Sequence, residues 1–330
     1  MFGIISLLSL YSLFYATMSA NALSCYDDSG KPADWWFISK QPKGTRYVYY
    51  DENYPAAKSS HDLNATTSGA LAHTIQQMWE ETNGYAIFND EPVGQPYCLD
   101  CGHTKGAWIW NDKTGVIITH SVPLYPAGPS QAQHYIGFGQ NAWEYGQHMM
   151  CFTFDITELN QIAELALRTA PRVYDSRIPQ NTQDFIKAFA NGTTDAVKAC
   201  DKTDVQTQGG MKITYFAKSA EWDNELYGAC IAPTLKKSLA VESWIRGKAE
   251  GPWCNQSYTV VDIEAVNMAS TFQYKEADDH SKWAVATDGS LGCVGGINRM
   301  TTQYTRGGGS YCMAELGQLL LKSVTSTNRC

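Results

Sequence analysis

The chain has 330 residues, 44% of them hydrophobic, 18% charged and 12% aromatic, with 10 Trp and 19 Tyr, enough apolar surface for one large core or two moderate ones. That balance excludes a disordered, collagenous or coiled-coil protein. A formal charge of −8 excludes a broad basic face for gripping a polyanion at neutral pH, although protonating all seven histidines in an acidic compartment would lift the sum to −1.

Met1 to Met18 carry no charge, run through Ile4, Ile5, Leu7, Leu8, Leu10, Leu13 and Phe14, and give way to Ala20-Asn21-Ala22. Residues 1–22 therefore read as a secretory signal peptide cut after Ala22, too short an apolar run for a comfortable bilayer span. Ten cysteines follow the cut, an even number that suits disulfides in an exported chain. Cys98-x-x-Cys101 lacks a second such pair or a His pair at finger spacing, so no zinc site is expected. Sequons at Asn64, Asn191 and Asn255 agree with passage through the secretory pathway.

Helical and strand signals alternate, predicting a mixed α/β fold. Leu71, Ile75, Met78 and Trp79 form a helical stripe after Thr67-Ser68, which reads as the cap, with Asn83-Gly84 as the stop. A capping-box pattern, Asp155 with Glu158, opens a second helix that carries Ile162, Leu165 and Ala166 inward before Pro171. Further helices are predicted over 184–190 and 314–324. Two hairpins stand out: 103–110 with 116–120 around the turn 111–115, and 280–287 with 291–297 around Asp288-Gly289-Ser290. Each begins with H-x-K, His103-Thr104-Lys105 and His280-Ser281-Lys282. The two motifs lie 177 positions apart. This implies two half-chains with one active strand each, divided as 23–170 and 171–330.

Side chains alternate along a strand, so each His and Lys pair projects from one face. Hydrolysis of a phosphodiester without a metal needs a nucleophile, a proton donor for the leaving oxygen, and fixed positive charge on the phosphoryl oxygens. Two His and two Lys supply all three. Asn298, at the end of the second hairpin, is a further candidate for a phosphoryl oxygen or for orienting His280, and His120 closes the first hairpin near the same cleft. No H-E-x-x-H, EF-hand loop, P-loop or G-x-S-x-G elbow is present, and no metal or cofactor is expected. Gly307-Gly308-Gly309 reads as a flexible turn. Arg246, Lys248, Arg299 and Arg306 are candidates for a DNA track or, equally, for solvated surface.

At this point the chain resembles the deoxyribonuclease II family, whose paired HxK arrangement is similar to that of the phospholipase D superfamily. The likeness is carried by Leu23-Ser24-Cys25-Tyr26-Asp27-Asp28-Ser29-Gly30, Asp34-Trp35-Trp36, Gly102-His103-Thr104-Lys105-Gly106 and His120-Ser121-Val122-Pro123. It continues in Ser243-Trp244-Ile245-Arg246-Gly247-Lys248, Asp279-His280-Ser281-Lys282-Trp283, Ile297-Asn298-Arg299 and Arg306-Gly307-Gly308-Gly309. The resemblance implies a phospholipase D-like pseudo-dimer of two αβ half-domains sharing one active-site cleft. It also implies acid, metal-independent endonuclease activity on DNA without sequence preference, products ending in 3′-phosphate, and lysosomal or extracellular residence. His103, Lys105, His280, Lys282 and Asn298 would be catalytic. The superfamily's serine is replaced by Gly296, its aspartate is displaced to Asp288 in the second half, and Val122 stands where the first half would carry an asparagine. The resemblance further implies disulfides Cys25–Cys151, Cys254–Cys330 and Cys293–Cys312, leaving Cys98 with Cys101 and Cys200 with Cys230. His103 is expected to attack and His280 to act as general acid, with the reverse order open, as are oligomeric state, a homodimer included, and the rival readings of a phosphodiesterase on another substrate or a catalytically weak or inactive secreted effector or binding protein.

Overall fold

The computed structural model describes residues 23–330, and the expected signal peptide lies outside them. The first sheet has eight antiparallel strands: β1 (Trp35–Lys40), β2 (Tyr47–Asp51), β3 (Ala57–Lys58), β4 (Gly84–Asn89), β5 (Lys105–Trp110), β6 (Thr114–His120), β7 (Gln147–Asp155) and β8 (Val173–Arg177). Their order across the sheet is β8-β4-β5-β6-β7-β1-β2-β3. The second sheet has nine: β9 (Cys200–Gln206), β10 (Lys212–Lys218), β11 (Leu239–Glu242), β12 (Val260–Met268), β13 (Phe272–Lys275), β14 (Trp283–Ala286), β15 (Gly292–Gly295), β16 (Gly308–Met313) and β17 (Val324–Thr327). Its order is β9-β10-β16-β15-β14-β11-β12-β13, with β17 paired to β12. β11 runs parallel to β12. Both HxK hairpins, β5–β6 and β14–β15, thus occupy the middle of a sheet rather than an edge.

Alternation explains why both faces of each sheet are apolar. In the first sheet Trp35, Phe37, Trp108, Trp110, Phe152 and Phe154 face the middle of the molecule. Their neighbours Trp36, Ile38, Ala107, Ile109 and Cys151 face outward, beneath helix α1 (Ala70–Ile75). From the second sheet Tyr215, Ala240, Val285, Val294 and Tyr311 enter the same central cluster. Helices α2 (Ile156–Ala166), α3 (Asp184–Ala190) and α4 (Gly317–Ser323) complete it. One continuous core therefore joins both sheets.

The predicted helices exist, with local differences. The first is capped at Gly69, not at Thr67-Ser68, and its last turn tightens to a 3-10 helix over Gln76–Trp79. Asp155 is the N-cap of α2, yet no side-chain cap bond forms; the Glu158 carboxylate accepts the Gln206 N–H of β9 instead, at 3.2 Å. α4 is shorter than expected because Val324 starts β17. The chain passes from the first sheet to the second after α3, since Val173–Arg177 pairs with β4. Gly307-Gly308-Gly309 is not a flexible turn: Gly308 opens the buried strand β16, and a side chain at Gly307 would place Cβ 2.5 Å from the Thr169 carbonyl oxygen. The disulfides join Cys25–Cys151, Cys98–Cys101, Cys200–Cys230, Cys254–Cys330 and Cys293–Cys312. Asn191 and Asn255 are exposed, whereas Asn64 is half-buried with its Oδ1 accepting the Phe138 N–H at 2.7 Å.

Phe189 of α3 stacks on Trp108 at 3.9 Å and meets Phe88 edge-on at 5.2 Å. Phe189→Ala leaves a cavity in the central core and is expected to cost about 3–5 kcal/mol, lowering Tm by on the order of 10 °C in a calorimetric scan.

Candidate active site

A cavity of about 360 Å³ opens where the two hairpins meet, and His103, Lys105, His280, Lys282 and Asn298 all line it. Larger hollows exist elsewhere, one of about 610 Å³ beside Trp110 and Pro179, but none of its lining residues is a His or Lys. The chemistry-bearing side chains lie in the smaller space.

Each histidine is anchored by the opposite half of the chain. The His103 N–H donates to the Gly307 carbonyl at 2.8 Å, while the His280 N–H donates to the Gly146 carbonyl at 2.9 Å. His103 Nδ1 contacts the Gly296 carbonyl oxygen, so Nδ1 carries the proton and Nε2 keeps the lone pair. The backbones approach so closely here that a Cβ on residue 296 would sit 2.3 Å from the His103 carbonyl oxygen. A serine at 296 is thereby excluded without a shift of the His103 backbone. The Lys282 N–H donates to Nδ1 of His148 on β7 at 3.1 Å, a further tie across the halves.

Charge is balanced by one buried carboxylate. Asp90, just beyond β4, bonds the Lys105 ammonium through one oxygen and the Arg306 guanidinium through the other, at 3.0 Å. His103 Nε2 lies 3.9 Å from the same carboxylate. Burial alone would raise the Asp90 pKa, but Lys105, His103 and Arg306 outweigh it and hold the group well below the usual range. Burial lowers His103 well below an ordinary imidazole; Asp90 resists, while Lys105, Lys282 and Arg306 add to the depression. His280 falls to about 2 through burial and the nearby Lys282, Lys105, Arg246 and Lys40. Burial and Lys105 bring Lys282 to about 7. Burial and the crowded cations thus favour neutral imidazoles on both histidines, and Nε2 of His280 and Oδ1 of Asn298 are buried without a hydrogen-bond partner.

Not every expected residue arrives. Asp288 lies in the turn at the far end of the β14–β15 hairpin, exposed, and pairs with Lys237 at 2.7 Å. Following the strand from Lys282 to Asp288 leads away from the cavity, which is why the displaced motif aspartate has no place in it. His120 is buried beneath the cavity, with Nδ1 accepting the Val122 N–H at 3.2 Å; its neighbour Ser121 is the one that lines the space. Of the basic candidates, Arg246 and Lys248 are exposed, but Arg299 is fully buried on Asp262 at 2.7 Å and Arg306 on Asp90. Asp90, His148 and Tyr145 carry no motif and escape sequence reading; Trp244 stood inside a recognisable block without an assigned role, and Arg306, expected on a DNA track or solvated surface, is instead buried on Asp90. Among the described residues no three His, Cys, Asp or Glu side chains gather as a metal site.

Paired imidazoles and ammoniums, one pair at the head of a hairpin in each sheet, converge on one cavity. The family model for deoxyribonuclease II matches residues 24–330, and the chain belongs to the deoxyribonuclease II family. Similar proteins include Deoxyribonuclease-2 of Caenorhabditis elegans, 31% identical over 97% of both chains. Plancitoxin-1 of Acanthaster planci is 28% identical over 95% of this chain and 93% of its own. Deoxyribonuclease-2-beta of Homo sapiens is 29% identical over 92% and 90%.

Asp90→Asn leaves two buried cations without their anion and is expected to cost about 3–5 kcal/mol in urea denaturation near neutral pH. Because the native carboxylate titrates far below the unfolded value of about 3.9, its contribution is complete above that pH and is lost as pH falls further. Acid titrations of the wild type and Asp90→Asn should therefore converge only below about pH 4.

Proposed function

We propose that the chain is an acid endodeoxyribonuclease that needs no divalent metal and works through a phosphohistidine, its two sheets acting as phospholipase D-like halves. The bond from His103 Nδ1 to the Gly296 carbonyl carries the assignment of roles. It fixes the tautomer with a lone pair on Nε2, as a nucleophile requires, whereas the His280 ring has no such tie and is free to carry a proton.

In the first step His103 Nε2 attacks phosphorus, the P–O5′ bond breaks, and protonated His280 gives its proton to the leaving oxygen. Lys105, Lys282 and the Asn298 amide hold the non-bridging oxygens. In the second step neutral His280 takes a proton from water, the hydroxide oxygen attacks phosphorus, and the P–N bond breaks to leave a 3′-phosphate and free His103. Contacts of this kind touch the backbone alone, which supports cutting without sequence preference.

Acid dependence follows from the same cations. A phosphodiester in the cavity offsets Lys105, Lys282 and Arg246, so the His280 pKa rises on binding and a proton is taken up there, while His103 has to stay neutral to attack. Substrate then binds more tightly as pH falls. Five disulfides, together with no helix among the described residues long and apolar enough to cross a membrane, fit a secreted or lysosomal setting.

Plasmid cleavage by the mature chain in EDTA is expected to be faster near pH 5 than near pH 7, and His103→Ala and His280→Ala to lose about 10²–10⁴-fold or more. Phosphohistidine mapped to residue 280 would reverse the roles. Cutting abolished by EDTA would remove metal independence, and a folded chain inert on DNA but active on phosphatidylcholine, or inert on both, would favour the other-substrate or effector reading. The depressed imidazoles also make a separate forecast: without ligand their contribution to stability is present above about pH 6.5 and is lost as pH falls. Inorganic phosphate should therefore raise Tm more at pH 5 than at pH 7.5.

A further inference from the structure

We propose that Tyr145 and Trp244 form an aromatic clamp, built from both halves of the chain, that fixes the His280 ring and stabilises its charged form; both are positioning residues. The Tyr145 ring lies parallel to the imidazole, with centroids 4.0 Å apart and planes 11° apart. The Trp244 indole approaches to 4.0 Å at 45°, and the two aromatic rings are 6.0 Å from each other, so Tyr145 covers one face of the imidazole and Trp244 flanks it at about a right angle. His103 is oriented by a carbonyl; the buried Nε2 of His280 has no hydrogen-bond partner, and ring contacts take over that task.

The clamp is held firmly on each side. Buried Lys40 donates to the carbonyls of Gln41, Gly44 and Trp143 at 2.8, 2.9 and 3.2 Å. The Lys43 and Gly44 N–H groups donate to the Glu144 and Trp143 carbonyls, both at 3.0 Å. Just past Tyr145, the Gly146 N–H donates to the Asp278 carbonyl at 2.7 Å, and the Gly146 carbonyl accepts the His280 N–H. On the other side the Ile245 N–H donates to Glu276 Oε1 at 2.7 Å, next to Trp244, and the Arg246 guanidinium lies 5.2 Å over the indole.

The charges around His280 come from several elements: Lys282 and Asp279 on its own segment, Lys105 on β5, Arg246 beyond β11, Lys40 on β1, and Asp278 and Glu276 before it. The four cations drive protons off the ring. The stacked Tyr145 ring and the tilted Trp244 indole act in the opposite direction, since an aromatic ring attracts an imidazolium and gains little from a neutral imidazole. With substrate bound, that attraction keeps the proton on the ring to a higher pH.

This inference rests on His280 as the proton donor, and two readouts separate the failure of each idea. Steady-state cleavage in EDTA is followed across pH for the wild type, Tyr145→Leu, Trp244→Leu and Tyr145→Phe. In parallel, the His280 resonance of ¹³C-histidine-labelled protein, assigned by its absence from His280→Ala, is titrated in saturating inorganic phosphate. Both leucine variants should move the upper-pH limb of kcat to lower pH by about 0.5–1 unit, with KM little changed, and the His280 resonance should move by the same amount. Tyr145→Phe, which keeps the stacked ring, should restore the wild-type profile. Leucine variants with native spectra, an unshifted kcat profile and an unshifted resonance would overturn the clamp. If the wild type does not cut DNA in EDTA, the catalytic reading fails and the resonance alone decides: a shift sustains the clamp, no shift ends it.

Discussion

The active site depends on one buried carboxylate. Lys105 and Arg306 come from opposite ends of the chain, 201 positions apart, and reach the same interior point, with Lys282 lining the same cavity. Cations brought that close and out of water would repel each other and force the halves apart or shed their protons. Asp90 accepts from Lys105 on one oxygen and from Arg306 on the other, and so turns a repulsion between the halves into an attraction. Arg306 carries the tie outward, bonding the Tyr97 hydroxyl and the carbonyls of Cys98 and Cys101, so the loop closed by the Cys98–Cys101 disulfide is bound to the same charge centre.

Backbone contacts repeat this logic without charge. Gly307 holds His103 and Gly146 holds His280, each from the opposite half. Neither half can position its own histidine alone, which joins the integrity of the central core to the geometry of the cavity. Small residues are required where the chains meet: Gly296 and Gly307 face carbonyl oxygens at distances that leave no room for Cβ. A glycine that looks like a loop marker in the sequence is here a packing requirement.

Much of this was legible in the sequence because chemistry and local pattern coincide there. The turns Asn111–Gly115 and Asp288–Ser290 located both hairpins, and the H-x-K pairs stand at their heads, Lys105 opening β5 while His103, His280 and Lys282 lie just before β5 and β14, all four lining one cavity. The helix over Asp184–Ala190 matched as well. What escaped depends on three-dimensional convergence. Asp90 is a solitary aspartate after a strand, and nothing adjacent in sequence announces that Arg306 will meet it. Tyr145 and His148 reach the site because β7 and the segment before it abut the second half, a long-range pairing with no local trace. Asp288 misled for the complementary reason: proximity in sequence to Lys282 suggested a shared site, but the extended β14 carries it to the other end of the hairpin.

The two halves also differ in charge balance, and this difference bears on the proposed acid activity. Lys105 has a carboxylate in contact; the Lys282 ammonium donates only to the His280 carbonyl, at 2.5 Å, and is brought to about 7 by burial and Lys105. Near pH 5 Lys282 is fully charged, and as pH rises through 7 it loses its proton and with it the attraction for a phosphoryl oxygen. His280, two residues earlier, loses its proton in the same direction. In the proposed mechanism the second half is thus the pH-sensitive one, with two groups that must both be protonated and, among the described residues, no carboxylate in salt-bridge contact with either. In the first half Asp90 keeps the lysine paired, while burial, helped by Lys105, Lys282 and Arg306 and opposed by Asp90, holds the His103 imidazole neutral, as the proposed attacking group must be. Unequal halves give the two histidines unequal work.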